Sequence, residues 1–261
     1  MPVQFRSVLA GVMLVSLIPL TATADETGTN TPQVTAAPAP QTVTLIQTRM
    51  QKSKLPDRTG LIALNPDGSA LWKRRAFEQF MPASTMKVIT ATVALELMGK
   101  DWKPVTRVTF DDSTGTIYLI GGGDAMLTSA NLRTLATRVA NALATTDAVP
   151  TTLRVDDFLF PAPTIPPGVV AAQQPQEVNP VRALVVDRRI GMDSSAVATK
   201  LFNSYLAGAG VHVHYAGRGK ASGTEIASFA GIRLQGSLRT MLWYSDNDIA
   251  EITFRLSSLA A

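Results

Sequence analysis

Apolar and polar positions along the chain fall into two rhythms, one of helical period and one of strand period. Ser129–Ala144 (SANLRTLATRVANALA) puts Leu132, Leu135, Val139 and Leu143 on one face, which predicts an amphipathic helix with Ser129 as its N-cap. A second helix is expected from Ser84 to about Met98, where Gly99 offers a C-cap. SSAVATKLFNSYLAGAG (194–210) reads as a helix ending in glycines, and the C-terminal LQGSLRTMLWYSDNDIAEITFRLSSLAA as helix, short break, helix. Strand signals are shorter. Leu61–Leu64 and Ala70–Arg75 flank a Pro66-Asp67-Gly68 turn and predict a hairpin. Arg107–Phe110, Thr116–Ile120, TLRVD (152–156) and the alternating VHVHYAG (211–217) are further strands, and VRALVVD (181–187) reads as a buried one. FPAPTIPPG (160–168) is a proline-rich loop. Strands and helices mix without a strict βαβ order or an internal repeat, so the fold class is α/β in the broad α+β sense.

The first residues break both rhythms. Arg6 precedes an apolar run, Val8–Leu20, and Ala22-Thr23-Ala24 forms a small-residue cleavage pattern before Asp25. This layout predicts a signal peptide over 1–24, hence an exported protein (periplasm, cell wall or extracellular side of the membrane), with peripheral membrane or cell-wall association in scope. Residues 25–42 are rich in Thr, Pro and Ala and read as a linker. With 24 Lys+Arg against 20 Asp+Glu, 6% aromatics and no basic block, nothing favours a nucleic-acid partner. The absence of cysteine excludes a disulfide framework, a thiolate zinc site and a thiol nucleophile.

Candidate chemistry starts at FMPASTMKVITA (80–91). Ser84 and Lys87 are three positions apart, on one face of the expected helix. A serine hydroxyl becomes a nucleophile when a base takes its proton, and a lysine whose pKa is lowered by burial can be that base. The plainer alternative is an N-cap serine followed by a surface lysine. Two further elements, S-D-N and K-T-G, accompany S-x-x-K in one class of acyl-transfer enzymes. Ser245-Asp246-Asn247 supplies the first and falls between two helices, where Ser245 can relay a proton and Asn247 can hydrogen-bond a substrate amide. The rival Ser129-x-Asn131 is explained by its own helix start. No K-T-G occurs: Lys220-Ala221-Ser222-Gly223 has one residue too many, and Arg58-Thr59-Gly60 precedes the first hairpin.

PASTMKVITATVALELMG, TIYLIGGGDAMLTSANLRTLA, VRALVVD, LFNSYLAGAGVHV and SDNDIAE occur in this order. In these blocks the chain resembles the D-alanyl-D-alanine carboxypeptidase/endopeptidase family, the class C low-molecular-mass penicillin-binding proteins. GGGD beside PASTMK separates it from class A β-lactamases. The resemblance implies a β-lactamase/transpeptidase-like domain with an inserted segment. The division expected is 43–104 for the nucleophile part, 105–180 for the insert and 181–261 for the return to the main domain. It implies Ser84 as acylated nucleophile, Lys87 as its base, and Ser245 and Asn247 as the second catalytic motif, Asn247 also binding substrate. The implied partners are peptidoglycan stem peptides and β-lactams, with no cofactor and no metal. In the family K-T-G lies on a strand after S-D-N. The present sequence stops before such a strand, so the expectation is a fold truncated at its C-terminus. Two readings follow: a serine-type carboxypeptidase or endopeptidase, or a catalytically incompetent envelope homologue that binds wall peptides or partners. A β-lactamase is third.

Some features receive plainer readings. Gly121-Gly122-Gly123-Asp124 lacks the Gly-Lys-Ser/Thr of a phosphate loop and reads as a structural turn. His212 and His214 have no evident third metal ligand. Glu251 and Arg255 suit a solvated i, i+4 pair, and Trp72, Trp102 and Trp243 are expected in packing.

Overall fold

A computed structural model describes residues 40–261 apart from Lys54, Pro66, Pro163, Pro175, Gln176 and Ile190. The expected signal peptide, the linker up to residue 39 and Pro66 of the hairpin turn lie outside the described residues. The chain divides into two compact units, Met1–Ala83 and Ser84–Ala261.

In the first unit, helix α1 (Pro40–Lys52) starts inside the stretch expected as linker. Proline fits a first helical turn, because its missing N–H would have no intrahelical partner there. The expected hairpin forms from β1 (Leu61–Leu64) and β2 (Ala70–Arg74), paired antiparallel. Its turn is tied by Asp67, which accepts from the Ser69 backbone N–H at 2.8 Å and the Ser69 hydroxyl at 2.7 Å.

The second unit begins at Ser84, within a 3₁₀ turn (Ala83–Thr85) that runs into α2 (Met86–Met98) with Gly99 as its C-cap. A five-stranded sheet follows. Its strands are β3 (Val105–Asp111), β4 (Thr116–Ile120), β5 (Thr152–Asp156), β6 (His214–Arg218) and β7 (Thr224–Ala230), in the order β6-β5-β4-β3-β7. β3 pairs antiparallel with β4 and β7, while β4–β5 and β5–β6 are parallel. Parallel neighbours need crossovers. Helices α3 (Ser129–Leu143) and α4 (Ser194–Gly208) lie in those connections. Leu132, Leu135, Val139, Phe202 and Leu206 pack with Val108, Ile117, Leu119, Leu153 and Val155 of the sheet. The sheet continues past residue 180: β6 pairs parallel with β5, and β7 pairs antiparallel with β3. β7 had no expectation from the sequence.

A second core joins α2 to α5 (Leu234–Tyr244) and α6 (Asn247–Ala260) through Ala91, Ala94, Leu238, Met241, Ile249 and Ile252. The segment expected as a strand at 181–187 connects the two cores. Val181, Ala183 and Val185 enter the helical core, and Leu184 and Val186 enter the sheet core. The alternation has strand period, but the only ladder pairing of this segment among the described residues is one bridge, Leu184 to Asp124. Burial on both faces explains the apolar run that resembled a central strand.

The glycine block fits this junction. A Cβ on Gly122 would meet the Val105 carbonyl oxygen at 2.0 Å, and Gly123 has a positive φ of 73°. Asp124 follows, 3% exposed, its carboxylate accepting from the Met126 N–H at 2.9 Å. Burial raises its pKa to about 6. Two other expectations are revised. The N-cap of α3 is Thr128, which forms a capping box with Asn131, while the Ser129 N–H donates to Asp187 at 2.8 Å. Trp243 is 76% exposed rather than packed. Among the described residues no helix is long and apolar enough to cross a membrane.

The glycine block and the aspartate after it set two expectations for stability. Gly122→Ala forces neighbouring backbones apart and is expected to cost more than about 2 kcal/mol in chemical denaturation. Asp124 binds its proton more tightly folded than unfolded, so its contribution is complete below the ordinary aspartate value of 3.8 and is lost as pH rises through about 6. Asp124→Asn should flatten that decline, by up to roughly 3 kcal/mol, in melts taken across this window.

Candidate active site

Ser84 sits in the 3₁₀ turn, after Pro82 and after Ala83, whose φ of 45° is left-handed. A non-glycine residue there is uncommon and marks a constrained turn. The N-cap position of α2 falls on Thr85, with no side-chain cap bond to the helix. Ser84 is thus not the N-cap of the plainer reading. Its Oγ meets Lys87 Nζ at 3.2 Å and Ser245 Oγ at 2.8 Å.

Lys87 lies one turn further on, and its side chain points inward with Ala91 and Ala94. It is 7% exposed. Alanines on that face let α6 come close enough for Nζ to reach Asn247 Oδ1 at 2.6 Å and Ser245 Oγ at 3.4 Å. Burial holds the amine below its usual pKa, while the nearby carboxylates Asp246 and Glu251 oppose that shift.

The other half of the site is the break between α5 and α6. Ser245 caps α5 in the left-handed conformation (φ 54°, ψ 39°), and its N–H bonds the Met241 carbonyl. Asp246 caps α6 by accepting from the Ile249 N–H at 2.8 Å. The break places Ser245 and Asn247 within hydrogen-bond reach of Lys87. Asn247 also donates through Nδ2 to the Glu177 carbonyl at 3.0 Å. Next to it, Asp248 accepts from the Asn179 N–H at 2.8 Å and from the Asn179 side-chain amide, and burial raises its pKa.

The four residues expected from the sequence, Ser84, Lys87, Ser245 and Asn247, are therefore brought together: Lys87 contacts the other three, and the two serines contact each other. The lookalikes are elsewhere. Ser129 and Asn131 belong to the α3 cap, Lys220–Gly223 to the β6–β7 turn, and Arg58-Thr59-Gly60 precedes β1. His214 begins β6, with His212 just before it. Among the described residues no group of three or more His, Asp or Glu is placed to hold a metal. Arg255 donates to the Pro161 carbonyl at 2.8 Å and lies over the Phe160 ring, so it is tied to the fold rather than only to solvent. Glu251 is partly buried, and burial raises its pKa.

Sequence reasoning missed the segment that braces the break. Glu177, Asn179 and Arg188 touch Asn247, Asp248 and Asp246 respectively. The one signal available was the charged Asp187-Arg188-Arg189 directly after an apolar run.

A serine on the turn that opens α2 and a buried lysine in its first turn, facing Ser and Asn at a helix break, define an S-x-x-K/S-x-N constellation of the type used in acyl transfer. The chain belongs to the D-Ala-D-Ala carboxypeptidase 3 (S13) family, whose model matches residues 42–193. It is 28% identical over 213 residues to carboxypeptidase DacB of Mycolicibacterium smegmatis, covering 74% of this chain and 46% of that protein. It is 38% identical over 79 residues to the D-alanyl-D-alanine carboxypeptidase of Actinomadura sp. (strain R39), covering 28% of this chain and 15% of that one. This chain thus spans less than half the length of these relatives. Among solved structures, penicillin binding protein 4 (dacB) from Haemophilus influenzae superposes with a TM-score of 0.67 at 17% identity, over 82% of this chain and 65% of that one. Its complex with a β-lactam gives 0.55 at 19% identity, over 82% and 64%. At such identity the likeness establishes the fold.

Holding an amine in this position opposes stability. Because folding lowers the Lys87 pKa, the cost is complete at pH values below the folded pKa and fades as pH rises toward 10.5. Lys87→Met should therefore raise stability near neutral pH by about 0.5–2 kcal/mol. The gain should shrink in strongly alkaline melts.

Proposed function

We propose that this chain is a serine-type D-Ala-D-Ala carboxypeptidase acting on peptidoglycan stem peptides through an acyl-enzyme on Ser84, and that β-lactams acylate the same hydroxyl. The observation that carries the reading is the single contact network of Lys87 Nζ with Ser84 Oγ, Ser245 Oγ and Asn247 Oδ1, at 3.2, 3.4 and 2.6 Å.

With Lys87 neutral, the hydrogen bonds close into a ring. The Ser245 hydroxyl donates to Ser84 Oγ, the Ser84 hydroxyl donates to the Lys87 lone pair, and the two amine N–H bonds go to Asn247 Oδ1 and Ser245 Oγ. As Ser84 Oγ attacks the carbonyl carbon of the D-Ala-D-Ala bond, its proton moves to Lys87 Nζ. The resulting ammonium gives a proton to Ser245 Oγ while Ser245 passes its own to the departing D-alanine nitrogen. Lysine and Ser245 are restored, and the acyl group stays on Ser84. Water then attacks the ester carbon and Lys87 takes its proton; as the bond from that carbon to Ser84 Oγ breaks, Lys87 Nζ returns the proton to Oγ, which releases the shortened peptide as its carboxylic acid and restores both the serine and the free amine. Asn247 has a second amide hydrogen for a substrate carbonyl. Peptide bonds cut at the chain terminus or within cross-links share this chemistry, so endopeptidase action belongs to the same proposal.

The family and the expected signal peptide support placement at the cell envelope, with no metal or cofactor in the reaction. The helices that carry the four residues are assigned to the transpeptidase-like part of the fold and the sheet with its crossover helices to the insert.

The purified chain is expected to be labelled covalently by a fluorescent penicillin, with labelling lost in Ser84→Ala and D-alanine released from a synthetic pentapeptide. Equal labelling of both forms overturns the assignment of Ser84. Labelling without D-alanine release identifies a homologue that binds without turnover. Penicillin hydrolysis without a stable adduct identifies a β-lactamase.

A further inference from the structure

Asp246 stands between the two side chains that serve Lys87, and it carries a charge that works against a free amine. Its carboxylate must remain on the Ile249 N–H, because that bond starts α6 and aims Asn247. The same carboxylate is bonded by the Arg188 guanidinium.

The backbone that presents Arg188 is built for a fixed position. Asp187 and Arg188 both have φ of 51°, two successive left-handed residues without a glycine. The turn is anchored toward α3: the Asp187 N–H bonds the Leu127 carbonyl at 2.9 Å, and the Asp187 carboxylate takes the Ser129 N–H at 2.8 Å. Its far side is tied by the Gly191 N–H to Asn179 Oδ1 at 2.8 Å, and Asn179 holds Asp248. Constrained backbone of this type persists where its surroundings fix it.

We propose that Arg188 is a positioning residue of the site: it clamps Asp246 on the turn that carries Ser245 and Asn247, and it screens the Asp246 charge from Lys87. The proposal rests on the reading of Lys87 as a base. The charges acting on Lys87 come from α6, as Asp246 and Glu251. Glu251 in turn feels Arg255 and Asp248. From the 187–191 turn, Asp187 and Arg189 pair with each other at 3.4 Å, and Arg188 pairs with Asp246. α5 contributes the uncharged Ser245. Removing the guanidinium leaves Asp246 uncompensated and favours the ammonium form of Lys87.

The test is an NMR titration of the Lys87 amine in the 15N-lysine-labelled full chain, assigned with Lys87→Met, alongside the pH profile of β-lactam acylation. Arg188→Gln should move the Lys87 titration upward, slow acylation ~3–10-fold at neutral pH and restore it at alkaline pH. Arg188→Lys should behave as wild type. Adding Asp246→Asn, which keeps the cap, to Arg188→Gln should bring the titration back down. A Lys87 titration unmoved by Arg188→Gln overturns the proposal, as does an Arg188→Lys protein that behaves like Arg188→Gln. A uniform loss of acylation at every pH, with the titration unmoved, makes Arg188 merely structural. If no form is acylated, the enzymatic reading fails, while the Lys87 titration still decides the role of Arg188.

Discussion

The burial of one amine is the constraint on which the site depends. A lysine that is 7% exposed needs oxygen partners within reach, since a buried polar group without them is costly. Lys87 finds three, on two elements distant in sequence: Ser84 on the turn that opens its own helix, and Ser245 and Asn247 at the α5–α6 break. That requirement fixes how closely α2 approaches α6. Ala91 and Ala94 meet it by keeping the inner face of α2 small. Larger residues there would hold the helices apart and leave the amine short of Asn247. The larger residues of α2, including Val88, Ile89, Val93 and Leu97, lie on its exposed side. α2 is therefore oriented by the contacts of Lys87 and two alanines rather than by its most apolar stripe.

The rest of the fold holds the break in place. The sheet with α3 and α4 forms one core and α2, α5 and α6 another, and residues 181–186 contribute alternately to both. That segment continues into the turn that grips Asp246. Just before it, Glu177 and Asn179 hold Asn247 and Asp248. The glycine block serves the same junction: side chains at Gly121 and Gly122 would strike the backbone of Ala183 and Val105.

Local periodicity made most of this legible. The hairpin, α3, α4, β4 and β5 follow from spacing and turn residues, and the Ser245-Asp246 break follows from residues that end one helix and begin another. Failures occurred where tertiary contacts decide. VRALVVD has the composition of a central strand because two cores bury its two faces, a circumstance that composition cannot separate from sheet burial. Ser129 and Thr128 are adjacent cap candidates, and the reciprocal bonds with Asn131 select Thr128. Trp243 was expected to be packed, yet it lies on the outer face of α5, beside Tyr244, which is also exposed. The four site residues were legible as motif letters, but the partners that orient them were not. Arg188 and Glu177 act through a side chain and a backbone carbonyl whose positions depend on the whole second unit.

The electrostatics of the site reflect a balance between opposing influences. Burial alone would drive Lys87 toward the neutral amine, and the two carboxylates alone would keep it an ammonium ion. A base for serine must be neutral before attack and accept a proton during it, so neither extreme serves. In the proposed reaction, Asp246 and Glu251 favour the ammonium that forms when Ser84 gives up its hydrogen, and burial favours the free amine before that step. Arg188, bonded to Asp246, is proposed to moderate the first influence, and the packing of α2 against α6 sets the second. The exposure of Ser84 and Ser245 completes the arrangement: the two serines are open to solvent, while the amine that both hydroxyls contact is buried.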